Sequence, residues 1–160
     1  MPYTIDIQST NRYPTAYMRA VATAANAAMT HESISDGAAV TLLLTDDDYL
    51  RQLNLQYRGE DRATDVLSFP GGDPIPGAEN LLEYLGDIAI SVETAKAQAA
   101  AKGHEATAEL QLLAVHGVLH LAGYDHDDEE GKAAMWAAQE AILGRLGLEG
   151  IQPTEDEHAD

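Results

Sequence analysis

A chain of 160 residues is long enough to bury a core without cross-links, and its lack of cysteine excludes disulfides, thiolate metal sites and cysteine nucleophiles together. Its 27 acidic against 9 basic residues, a formal net charge of −18, leave no basic footprint for nucleic acid and read as a solubility adaptation. No stretch approaches the ~20 apolar residues of a membrane span and the N-terminus has no signal-peptide pattern, so a soluble cytoplasmic protein is expected.

In chain order, Tyr3 to Gln8 alternates apolar and polar residues with the period of a strand. Thr15 to Met29 is Ala-rich, with Met18, Val21, Ala25 and Ala28 at helical spacing. Ala38 to Thr45 is an apolar, β-rich run. The acids that follow it suit the positive N-terminus of a helix over about Asp47 to Tyr57, which Gly59 stops. Val66 to Phe69 reads as a short strand closed by Pro70. Gly71 to Asn80, with three Gly and two Pro, reads as a surface loop long enough for a lid or a binding loop. Leu85 to Val92 is the next strand. Helices over Glu93 to Lys102 and about Glu105 to Leu121 flank Gly103, and a last helix, capped by Asp127 or Asp128, runs to about Leu146. Residues 1–152 thus read as one α+β domain without repeat or linker, and residues 153–160 as a disordered acidic tail. Met135, Trp136 and Leu143 are expected in the core. His31, His104 and His158 lack ligand spacing and are expected at the surface.

The chemistry concentrates in His116-Gly-Val-Leu-His120-Leu-Ala-Gly123-Tyr-Asp-His126. Histidines at i and i+4 share one helix face with Cβ atoms about 5–6 Å apart, which suits two imidazoles on one zinc ion. Gly123 tolerates positive φ and lets the chain turn back, so that His126 adds a third ligand. Ordinary histidines in an apolar helix are the alternative, but three of the six histidines fall within this short segment at ligand spacing. Three protein ligands leave a fourth position for water, the mark of a catalytic rather than a structural zinc site. The same spacing occurs in the metzincin peptidases, H-E-x-x-H-x-x-G-x-x-H, with one difference: Gly117 stands where those enzymes carry their general-base glutamate.

Through this motif the chain resembles the YbeY family of bacterial endoribonucleases. Asn54-Leu-Gln-Tyr57-Arg58-Gly-Glu-Asp61-Arg-Ala-Thr64-Asp65-Val66-Leu67-Ser68-Phe69-Pro70 and Leu85-Gly86-Asp87-Ile88-Ala-Ile90-Ser91 resemble two further blocks of that family, in the same order. The resemblance implies a zinc-dependent, single-strand-specific endoribonuclease acting in 3′-end maturation of small-subunit ribosomal RNA and in ribosome quality control. It implies an α+β fold with a small mixed sheet, about five helices and a zinc cleft between helices and sheet. It places the ligands on His116, His120 and His126 and the family's important arginine on Arg58. Its expected partners are single-stranded ribosomal RNA and the ribosome or its associated proteins, with no membrane and no nucleotide cofactor.

Physically, Arg58 is the best candidate to meet the charge of a phosphodiester transition state, because a guanidinium binds phosphate in bidentate fashion. Its alternative is a helix C-terminal residue facing the dipole or pairing with Asp61 or Asp65. Arg62 reads as a solvated charge. Asp125 is a candidate acceptor for a ligand imidazole or a helix cap. Ser68 and Asp87 support either the site or the strand ends. Two rival functions stay in view: a peptidase or amidase on the same three histidines, opposed by Gly117, and a non-catalytic ribosome-assembly factor with a structural metal, opposed by the open coordination position.

Overall fold

The computed structural model describes residues 3–71 and 84–151; the expected loop from residue 72 to Asn80 and the expected tail over Pro153–Asp160 lie outside these. The described elements follow as β1 (Thr4–Ser9), α1 (Thr15–His31), β2 (Ala39–Thr45), α2 (Asp47–Arg58), β3 (Val66–Pro70), β4 (Tyr84–Ser91), α3 (Val92–Lys102), α4 (Ala106–Leu121) and α5 (Glu129–Arg145). The starts of α2, α3 and α5 carry side-chain acceptors for their free N–H groups. Asp46 Oδ1 accepts from the Tyr49 N–H at 2.9 Å, and Asp128, rather than Asp127, caps α5 through the Gly131 N–H at 2.6 Å. Val92, expected in a strand, opens α3 instead, because the Ser91 hydroxyl accepts from the Thr94 N–H at 3.1 Å and ends the ladder there.

The sheet order is β1-β2-β4-β3; the first three strands run parallel and the edge strand β3 runs antiparallel to β4. This is the small mixed sheet of the expected α+β fold. Side chains alternate between its faces. Val40, Leu42, Leu44, Val66, Ile88 and Ile90 join the main core on one face. Leu67 and Ala89 point the other way and are covered by Leu50 of α2, with Leu53 and Phe69 beside them.

Helix α4 organises the core. It is buried along most of its length, from Ala108 to Leu119, as a helix apolar on all sides must be. Helices α1, α3 and α5 pack around it, and its remaining side lies on β3 and β4. It comes close to β4 at Gly117, where a Cβ would stand 2.7 Å from Cγ2 of Ile88. At the other end of α4, Glu109 is fully buried and meets Lys102 Nζ at 3.2 Å and His104 Nε2 at 2.6 Å. His104 is therefore no surface residue; it compensates a buried carboxylate, which is costly unless paired. No helix among the described residues is long and apolar enough to cross a membrane.

Candidate metal centre

The end of α4 builds the site. His116 and His120 project from the same face one turn apart, with ring centroids at 4.6 Å and Nε2 atoms at 3.1 Å. The helix then stops: the Ala122 N–H bonds Val118 O at 2.9 Å and the Tyr124 N–H reaches back to Leu119 O at 3.0 Å. That closing pattern requires a left-handed residue between them, and Gly123 has φ +107°. The reversal brings the His126 ring within 5.5 Å of His116 and 5.2 Å of His120, centroid to centroid. Tyr124 pins the turn to the end of α1 by donating to Glu32 at 3.4 Å. Burial, and then the bond to Glu32, raise its phenol above the ordinary tyrosine pKa.

One nitrogen from each of His116, His120 and His126 lies within 4.8 Å of the other two. Tetrahedral coordination at Zn–N of about 2.0–2.1 Å requires nitrogen pairs about 3.3–3.4 Å apart. The 3.1 Å pair is near that value, and a His126 nitrogen lies within 4.8 Å of both. His116 is fully buried, whereas His120 and His126 are half-buried, so the cluster sits between core and solvent. Three imidazole nitrogens in so small a volume suit a divalent transition ion.

The other sequence candidates divide between the two faces of the sheet. Ser68 is on the α4 side, and its hydroxyl donates to Gly117 O at 3.4 Å, next to His116. Asp87 is on the opposite face, where it accepts a hydrogen bond from the Tyr84 hydroxyl and helps line an open groove of about 300 Å³ with Thr41, Leu43 and Phe69. Of its two expected roles, support of the site or of the strand end, this position fits the second, since strand alternation turns it away from the neighbouring Ile88, which packs under α4. Asp125 is exposed and accepts from the Asp127 N–H at 3.1 Å, a turn leading into α5. Arg58 is the exposed last residue of α2; the Tyr57 and Phe69 rings, 5.2 Å apart, seat that helix end on edge strand β3. Asp61, one suggested partner of Arg58, pairs with Arg51 at 2.6 Å, and Arg62 pairs with Glu60 at 3.2 Å.

Two residues of α5 complete the surroundings without having been singled out as site residues. Gln139 places Oε1 2.8 Å from His116 Nδ1, and both residues are buried. Trp136, expected simply in the core, stands edge-on to His116 and His126 at 6.0 and 5.7 Å. The sequence did carry a sign of the first: Gln139 is the one polar residue on a buried face otherwise made of Met135, Ala138, Ile142 and Leu143.

Comparison with known proteins identifies the family and the fold. Residues 4–147 match the family model described as endoribonuclease YbeY. The chain is 45% identical over 131 residues to the endoribonuclease YbeY of Rhodopseudomonas palustris, covering 82% of this chain and 67% of that one. It is 49% identical over 119 residues to that of Desulforamulus reducens, covering 73% and 78%. Its fold matches the solution structure of TM1509 from Thermotoga maritima with a TM-score of 0.58 and 27% identity, over 90% of this chain and 92% of the other. The chain belongs to the endoribonuclease YbeY family.

Proposed function

We propose that this endoribonuclease cuts single-stranded RNA at one zinc ion held by His116, His120 and His126, and that its substrate is ribosomal RNA at the 3′ end of the small-subunit species. The observation that carries the reading is the convergence of three imidazole nitrogens within 4.8 Å in a member of an endoribonuclease family. When bound, zinc supplies a Lewis acid that polarises a phosphoryl oxygen and brings the pKa of a coordinated water to about 7. The chain's residues do the rest. Trp136 walls the cluster on the α5 side, and Ser68 ties the edge strand to α4 beside His116. The family resemblance assigns the scissile phosphate and its growing charge to Arg58, whose guanidinium fork fits two phosphate oxygens. That side chain would have to reach the histidines past edge strand β3, because α2 packs on the other face of the sheet. With a net charge of −18, attraction to RNA concentrates at the ion and this arginine, and the ribosome or a protein bound to it contributes further basic surface. This is work for a cytoplasmic protein, which suits the absence of cysteine.

The peptidase alternative fails on packing as well as on chemistry. The position of its general base is Gly117, and Ile88 fills the space its side chain would occupy. The test is cleavage of a single-stranded oligoribonucleotide with metal analysis of the same samples. Wild type should contain one zinc per chain and cut. His116→Ala, His120→Ala and His126→Ala should each lose metal and activity together. Full zinc occupancy in any of the three removes that histidine from the site, and cleavage by metal-free wild type ends the reading.

A further inference from the structure

The hydrogen bond between His116 and Gln139 has a chemical consequence beyond packing. An imidazole offers two nitrogens, and the partner of one decides what the other can do. An amide oxygen only accepts. Gln139 Oε1, 2.8 Å from His116 Nδ1, therefore calls for a proton on Nδ1 and leaves the lone pair on Nε2. Nε2 is the atom that stands 3.1 Å from His120 Nε2. The amide thus holds the ring in the ligand form before any ion arrives.

The cost of keeping Gln139 also argues for a purpose. The residue is 2% exposed, and its Nε2 has no hydrogen-bond partner among the described residues. An aliphatic side chain on this face of α5 would leave no such donor stranded. His116 is moreover the fully buried member of the cluster, so its orientation is set by the protein. His120 and His126 are only half-buried.

We propose that Gln139 is a positioning residue that fixes His116 in the Nδ1–H form and aims its Nε2 at the metal. The proposal rests on the three-histidine reading above. Outer partners of this kind typically contribute 10–100-fold to metal affinity. Gln139→Met keeps an unbranched side chain of similar length and removes the acceptor. Gln139→Glu keeps the acceptor and changes its charge.

The experiment measures zinc affinity by competition with a chelator of known strength, and the His116 tautomer by nitrogen NMR of the metal-free proteins. Zinc affinity should fall about 10–100-fold in Gln139→Met and stay at or above wild type in Gln139→Glu. Metal-free wild type should show His116 protonated at Nδ1, and Gln139→Met should lose that preference while remaining folded by circular dichroism. Wild-type affinity in Gln139→Met overturns the proposal. So does an equal loss in both variants, which would make the role one of shape, or a metal-free wild type with His116 protonated at Nε2. If Gln139→Met does not fold, the Gln139→Glu affinity and the wild-type tautomer still decide. Failure of the three-histidine reading looks different, because wild type itself would then bind no zinc.

Discussion

The contact between Gly117 and Ile88 makes a quantitative prediction for Gly117→Ala. In an exposed helix interior this substitution stabilises by about 1 kcal/mol, because alanine has less backbone freedom to lose. Here the added Cβ lands 2.7 Å from Cγ2 and 3.0 Å from Cδ1 of Ile88, which is fully buried. The nearest atom sits on a β-branched carbon and cannot swing away freely. Either Ile88 leaves its rotamer or α4 lifts from β4, and overpacking of this kind costs about 1–3 kcal/mol. Setting the propensity gain against it leaves a net loss of about 0–2 kcal/mol, centred near 1. Urea unfolding of the metal-free protein measures it. Ile88→Ala alone should cost about 2–5 kcal/mol, but in that background Gly117→Ala should gain its full ~1 kcal/mol, because the obstacle is gone. The two changes would then couple by about 2 kcal/mol. A stabilised Gly117→Ala, additive with Ile88→Ala, would refute the packing account. The same obstruction predicts that Gly117→Glu gains no peptidase activity, since its side chain must first displace Ile88.

Arg58→Ala should slow cleavage of single-stranded RNA about 100- to 1,000-fold with zinc content unchanged, and Arg58→Lys should recover only part, as an ammonium lacks the planar fork. Wild-type cleavage by zinc-loaded Arg58→Ala would make the arginine structural. The cap of α2 predicts a pH signature. The Tyr49 N–H, and then the Asn11 side chain, hold the Asp46 carboxyl below the usual carboxylate pKa. A lowered pKa means the contribution is complete above the ordinary carboxylate range and fades as pH falls through the folded value. Asp46→Ala should therefore cost about 1 kcal/mol at pH 7 and progressively less below about pH 4. A gap between wild type and variant that is constant from pH 7 to pH 3 would count against the charged cap.

Much of the histidine cluster was legible because it is local. His116 and His120 share a helix face by helical geometry alone, and Gly123 marks the reversal that brings His126 back. The five helices were legible for a similar reason, since caps, glycine stops and apolar periodicity lie within one segment at a time. Val92 was misplaced by a single capping bond, the scale at which element ends stop being readable from pattern.

The rest depended on groups far apart in the chain. Asp87 sits in a block that matches the family, yet the pairing of β4 with β2 and β3 turns it away from the histidines while its neighbour Ile88 packs under α4. Gly117 read as a missing base; packing of α4 on the sheet shows it as the point where helix and strand come too close for a side chain. Gln139 is 23 residues from His116 and belongs to another helix, so only the docking of α5 on α4 reveals which polar atom meets Nδ1. Ligand spacing is a property of one helix and survives in the sequence. The direction of every supporting side chain follows from how separate elements pack, and that exists only once the chain has folded.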